Sequence, residues 1–150
     1  MKLTSSAFSD GGIIPSVHTC EGKNSAPPLA VSGVPNGAKS LVLIMDDPDV
    51  PKTLRADGMY DHWVIFNIPP GAHTIDARSG IQGRNTNGQN QYIGPCPPDR
   101  QHRYFFKLYA LDTMLDLSAG AAKKQVEWAM QGHVLAHCQL MGLYEKGKGY

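Results

Sequence analysis

A β-dominated sandwich is the fold class that three features of this 150-residue sequence predict. Sixteen glycines and eleven prolines are spread along the whole chain and cut it into short segments, which suits strands and turns better than a helical bundle. The strongest apolar runs, residues 40–46, 62–68 and 103–110, are short and rich in β-branched and aromatic residues. Runs that are apolar at successive positions are the mark of strands covered on both faces. Helix formers gather in one stretch only, residues 121–131. With no repeat, linker or low-complexity tract, residues 1–150 are expected to form a single domain.

The elements follow in chain order. Weaker strands are expected at Lys2–Ser6 and Leu29–Val34. Ser40–Asp46 is the clearest strand, stopped by Pro48. His62–Ile68 is the second, stopped by Pro69-Pro70-Gly71. Residues 80–94, with Gly83, Asn85, Asn87, Gly88 and Asn90, show no apolar period and are expected to form a long ordered loop, a class that is often functional. Arg103–Ala110 is the third strong strand. Ser118 is the expected cap of a helix running from Ala121 to Gln131. In it Val126, Ala129 and Met130 share a face while Lys123, Lys124 and Glu127 point to water. Gly132 ends that helix, a short turn is expected over His133–His137, and a last weak strand over Gln139–Tyr144.

Charge and composition exclude several classes. The net charge is +1, from 14 Lys+Arg against 13 Asp+Glu, with no basic run to bind nucleic acid or an anionic membrane surface. No segment approaches the ~20 apolar residues of a membrane span, and the N-terminus has no apolar core of signal-peptide length. A cytoplasmic location is therefore expected. Cys20, Cys96 and Cys138 are odd in number and widely spaced, so reduced thiols are expected and no zinc pair is indicated.

Two Pro-braced segments carry the chemistry. Asp47-Pro48-Asp49-Val50-Pro51 leads to Asp61-His62-Trp63, and Gly94-Pro95-Cys96-Pro97-Pro98 leads to His102-Arg103-Tyr104. Strand alternation puts His102 and Tyr104 on one face and Arg103 on the other, and puts Asp47 on the face of Leu43 and Met45. Arg103 is thus expected to pair with a carboxylate such as Asp49 or Asp61. If the strands are neighbours, Asp47, His62, His102 and Tyr104 gather at one end of a sheet. Ring N–H groups and a phenol suit a small oxyanion. Asp47 would then hold a histidine tautomer or accept a proton from the ligand. Backbone N–H groups of the 94–98 turn could add donors, prolines excepted.

These four motifs, in this order, resemble the phosphatidylethanolamine-binding protein family, and most closely its bacterial and archaeal Raf-kinase-inhibitor-like branch. Phe8-Ser9, Cys20-Glu21-Gly22, Ser25-Ala26-Pro27-Pro28-Leu29, Leu108-Tyr109-Ala110-Leu111-Asp112 and Gly132-His133-Val134-Leu135-Ala136 extend the likeness from about residue 3 to residue 144. The resemblance implies a large central antiparallel sheet packed on a smaller sheet, with short helices near the C-terminus. It implies an anion pocket formed by Asp47, His62, His102 and Tyr104, rimmed by Asp49, Gly94, Pro95, Cys96, Pro97 and Pro98. Members hold phosphate, acetate or a phosphoryl headgroup there, without a cofactor, and a cis Val50–Pro51 bond is implied as well. A homodimer and a regulatory role follow by the same resemblance. Asp99-Arg100-Gln101 departs from the eukaryotic motif, where a glycine is usual.

Three alternatives stay open at this level. The Asp, His and Tyr cluster could serve a hydrolytic or metal-dependent enzyme, with Cys96 the one nucleophile in the motifs. His133 and His137, at i and i+4 beside Cys138, could hold a metal on a helix, although the zinc-protease pattern is absent. The rim could inhibit a protease or a kinase.

Overall fold

In the computed structural model, which describes residues 1–150, the chain forms nine strands and one α-helix. They are β1 (Lys2–Thr4), β2 (Gly12–Ile13), β3 (Leu29–Ser32), β4 (Ser40–Asp47), β5 (Tyr60–Ile68), β6 (Thr74–Ile75), β7 (Ile81–Gln82), β8 (His102–Leu111), α1 (Lys123–Met130) and β9 (Val134–Tyr144). A single 3-10 turn spans Ser16–His18. Six strands make the large sheet in the order β2-β9-β8-β4-β5-β7, and three make the small sheet in the order β1-β3-β6. All pairs are antiparallel except the short β2–β9 pair.

The apolar run of residues 40–46 becomes the central strand because both of its faces have something to bury. Leu41, Leu43 and Met45 join Trp63, Ile65, Phe106 and Leu108 in an 18-residue core, closed from the other side by Leu3, Leu29, Val31 and Ile75 of the small sheet. Val42 and Ile44 face the opposite way, with Val64 and Phe66, into a nine-residue cluster covered by Val126 and Met130 of α1. Every residue of β4 is buried. Burying a side chain of this size is worth about 1.5–3 kcal/mol, so this doubly covered layer holds the strand ends that carry the site.

Several expected details are corrected. The helix begins at Lys123, not Ala121, and its cap is Ala122 rather than Ser118. The Gln125 side chain closes that end by accepting the Ala122 N–H at 2.8 Å. Residues 134–137 form no turn: they open β9, whose pairing with β8 runs from Leu111↔Val134 to His102↔Tyr144. The i, i+4 helical spacing of His133 and His137 is therefore lost, and His133 Nδ1 instead meets Asp112 at 2.8 Å. The Val50–Pro51 bond is trans. Pro51 starts a turn there, its carbonyl accepting from Leu54 and Arg55, and the chain reverses through the Asp49 N–H bonded to Asp47 Oδ1 at 2.7 Å.

Gly142 of β9 lies opposite Tyr104 and touches the fully buried Ile14. An added Cβ would fall 2.5 Å from Ile14 Cγ1 and 2.8 Å from Phe8 Cε2. Gly142→Ala is expected to destabilise the fold by about 1–3 kcal/mol through overpacking, read as a lower urea midpoint at unchanged slope.

Candidate functional site

The C-terminal end of β4, the start of β5 and the start of β8 meet at one end of the large sheet's central strands. The last β4–β8 pair is Asp46↔Phe105, so Asp47 falls alongside Tyr104 on the core side of the sheet, as alternation predicts. His102 lies two residues from Tyr104 on the same side, and its ring stacks toward the phenol at 6.4 Å.

His62 reaches this side by a different route. Strict alternation would turn it toward α1, with Val64 and Phe66. The β4–β5 register jumps from Met45↔Trp63 to Asp46↔Asp61, so His62 is the extra residue of a β-bulge, the feature that re-aims a side chain at a sheet edge. Its ring lies edge-on to Tyr104 at 5.3 Å between centroids and 4.8 Å from the Tyr60 ring. The four expected residues thus line one pocket of about 350 Å³, together with Val50, Leu54, Arg55, Tyr60, Ile93 and the turn residues Gly94, Cys96, Pro97 and Pro98. Val50 belongs to the first Pro-braced motif, whereas Leu54, Arg55, Tyr60 and Ile93 carry no sequence signal that marks them. They arrive with the turn after β4, the start of β5 and the loop before Gly94.

Asp49 and Pro95, expected on the rim, do not line the pocket. Asp49 is taken by Arg103, which points away from the site as expected and forms a two-pronged pair through Nε and Nη2 at 3.0 and 2.8 Å. Those hydrogen bonds hold the Asp49 carboxyl below its usual range. The Gly94 N–H is spent as well, on Asn24 Oδ1 at 2.7 Å, so it is not a donor to the pocket.

The thiol expectation is overturned. Cys20 and Cys96 form a disulfide, with Cα atoms 5.5 Å apart across 76 residues of sequence. The surrounding backbone explains the meeting. Cys20 N–H donates to the Pro95 carbonyl at 3.1 Å and Tyr92 Oη to the His18 carbonyl at 2.6 Å. Gly94 packs so tightly that a Cβ would sit 2.2 Å from the His18 oxygen. Cys138 is the remaining free cysteine.

The polar atoms of the pocket divide into committed and uncommitted ones. His102 is 1% exposed. Its Nδ1 lies 2.7 Å from Asp47 Oδ2 and its Nε2 lies 2.7 Å from Asp99 Oδ1. Each ring nitrogen thus faces a carboxylate oxygen, whereas neutral imidazole brings one N–H to the two contacts. Burial pushes the Asp47 carboxyl up, against the pull of His102 and the Asp49 N–H. The His102 hydrogen bond holds the Asp99 carboxyl down. His62 Nδ1 is bonded to the Ile93 carbonyl at 2.7 Å, and burial lowers the ring to about 4. The ring is then neutral at pH 7 with Nδ1 as its donor, which leaves Nε2 an acceptor. This corrects the expectation that His62 donates to the ligand. Tyr104 is fully buried and its hydroxyl has no partner. Burial and the Asp47 and Asp49 charges push the phenol up, so it stays protonated and able to donate.

Behind the bulge, on the α1 side, a second group of charges went unnoticed in the sequence. Lys123 was expected in water. It lies instead 2.8 Å from Asp61 and 3.2 Å from Asp46, and Lys107 reaches Asp46 at 3.1 Å. Burial alone would lower the Lys123 ammonium, but the two carboxylates outweigh it and hold it above its usual range. The cluster ties α1 to the strand residues that precede Asp47 and His62.

Comparison with known proteins agrees with this architecture. A family model described as phosphatidylethanolamine-binding protein matches residues 4–145. A UPF0098 protein of Methanothermobacter thermautotrophicus is 50% identical over 98% of this chain and 100% of its own length. The crystal structure of a putative phosphatidylethanolamine-binding protein homolog of Chlamydia trachomatis superposes with a TM-score of 0.93 at 48% identity, covering 96% of each chain. Escherichia coli YbcL, described as a new member of the mammalian family, superposes with a TM-score of 0.86 at 30% identity, covering 96% of this chain and 97% of its own.

Proposed function

This chain belongs to the phosphatidylethanolamine-binding protein family, and from that premise we propose that it is a binding protein for small phosphorylated or carboxylated ligands, acting through the pocket of Asp47, His62, His102 and Tyr104. The observation that carries this is the Tyr104 hydroxyl. A buried hydroxyl without a partner costs about 1–3 kcal/mol, and this one belongs to a residue that lines the pocket. A ligand oxygen supplies the missing acceptor. Opposite it, His62 Nε2 asks for a donor. A ligand that offers both is a monoprotonated phosphate, or a phosphate ester carrying one proton.

Two further features support binding over covalent chemistry. Cys96, the one nucleophile among the motif residues, is held in the disulfide. His102, the strongest candidate for proton transfer, has both nitrogens engaged by carboxylates. The role that fits is regulatory, with occupancy of the pocket as the signal.

Calorimetric titration with phosphoethanolamine tests the reading. Tyr104→Phe is expected to weaken binding by about 1.5–3 kcal/mol, the value of a hydrogen bond to a charged group, while Arg103→Ala changes it little. The affinity is expected to fall as pH rises through the second ionisation of the ester, near pH ~6, because the dianion brings no proton for His62. Equal affinity for Tyr104→Phe and wild type would remove the Tyr104 hydroxyl from the site.

A further inference from the structure

The two carboxylates on His102 are unlike each other. Asp47 is buried at the end of β4, with its second oxygen fixed by the Asp49 N–H. Asp99 stands in the turn between Pro98 and β8 with its side chain 40% exposed, and its remaining contacts are to the next residue, Arg100. A carboxylate oxygen 2.7 Å from His102 Nε2 is also the contact that an acetate or phosphate oxygen would make there.

We propose that Asp99, which does not itself line the pocket, is a built-in competitor for its His102 end: an anion that reaches His102 Nε2 must displace it, so that Asp99 sets both the affinity and the charge selectivity of the pocket. This rests on the anion-binding reading given above. The geometry allows the exchange. Pro97 and Pro98 fix the chain before Asp99, and β8 pairing begins only at His102. Rotation of the Asp99 side chain releases Nε2 without breaking a strand hydrogen bond. The electrostatics favour the exchange over simple addition. His102 already sits between two carboxylates, and a third anionic oxygen held against them in a poorly solvated pocket meets strong like-charge repulsion. A monoanion meets less of it than a dianion, which makes Asp99 a filter as well as a competitor.

The test uses inorganic phosphate and acetate, titrated calorimetrically into wild type, Asp99→Asn and Asp99→Ala, with the ¹⁵N resonances of His102 recorded in the ligand-free proteins. Both variants are expected to bind phosphate about tenfold more tightly than wild type, with a smaller gain for acetate, and the His102 Nε2 resonance is expected to move before any ligand is added. If that resonance does not move in Asp99→Ala, the contact is absent and the inference is overturned. If it moves, and wild type binds phosphate as well as or better than the variants, Asp99 is no competitor and the inference is overturned while the anion site stands. Failure of phosphate and acetate to bind any of the three proteins overturns the anion reading and this inference with it.

Discussion

Removing the Cys20–Cys96 bridge, by reduction or by paired Cys20→Ser and Cys96→Ser substitutions, lowers the unfolding free energy by about 4 kcal/mol. The bond closes a loop of 76 residues, and the loop-closure entropy withheld from the unfolded chain grows with the logarithm of that length. A domain of this size has roughly 5–15 kcal/mol in total, so the loss moves the urea midpoint far. The effect extends to the pocket. Cys96 lines it, between the prolines that shape its wall, and the bridge joins that wall to residues 18–24. Urea unfolding with and without a thiol reductant is the measurement, with the Cys138→Ser background removing the third thiol. An unchanged midpoint on full reduction would contradict the account.

The second large effect is acid loss of stability through His62. The unfolded ring titrates near 6.5 and the buried ring near 4. Between these values the unfolded chain takes a proton that the folded chain refuses, so stability is whole above pH ~6.5 and falls as pH is lowered toward ~4. The full difference corresponds to about 3 kcal/mol. Asp47 works the other way. Its carboxyl is raised in the fold, so the folded chain holds a proton there that the unfolded chain has lost, and that contribution disappears as pH rises through the raised value. The two overlap, and the comparison must therefore be with His62→Gln, which keeps Asp47 and deletes the imidazole. Denaturation at several pH values is expected to show a steeper acid loss in wild type than in His62→Gln. Parallel curves would mean that His62 is not held neutral.

How much of this was legible in the sequence depends on distance along the chain. Local patterns carried the central strands: the doubly apolar run of residues 40–46 is β4, buried throughout. Alternation carried Asp47, His102, Tyr104 and the outward Arg103, because a period of two survives in any strand. Its place at the start of its strand brought His62 to the right end of the sheet, and the family resemblance agreed, but alternation alone would have turned its ring to the other face. The bulge that re-aims it exists only in the pairing of β5 with β4, and pairing is not written in either strand. The disulfide failed for the same reason at longer range, since cysteines 76 apart meet through backbone hydrogen bonds between segments that carry no shared pattern. Lys123 was placed in water by helical periodicity, which knows nothing of the carboxylates of β4 and β5 beneath it. Asp99 lay in a turn, where no period exists.

The disulfide also bears on location. Such bonds persist in oxidising surroundings and are rare in reduced cytosol outside some heat-adapted organisms, so the cysteines lend no support to the expected cytoplasmic location. No helix is long and apolar enough to cross a membrane.

The claim on which the functional account stands is that Tyr104 and His62 face one bound anion. A crystal structure of the protein grown in phosphate addresses it in one measurement. The account predicts a phosphate within hydrogen-bond distance of both Tyr104 Oη and His62 Nε2, with the Asp99 carboxylate withdrawn from His102. A phosphate bound elsewhere on the surface, with the Tyr104 hydroxyl still unpartnered, would contradict it.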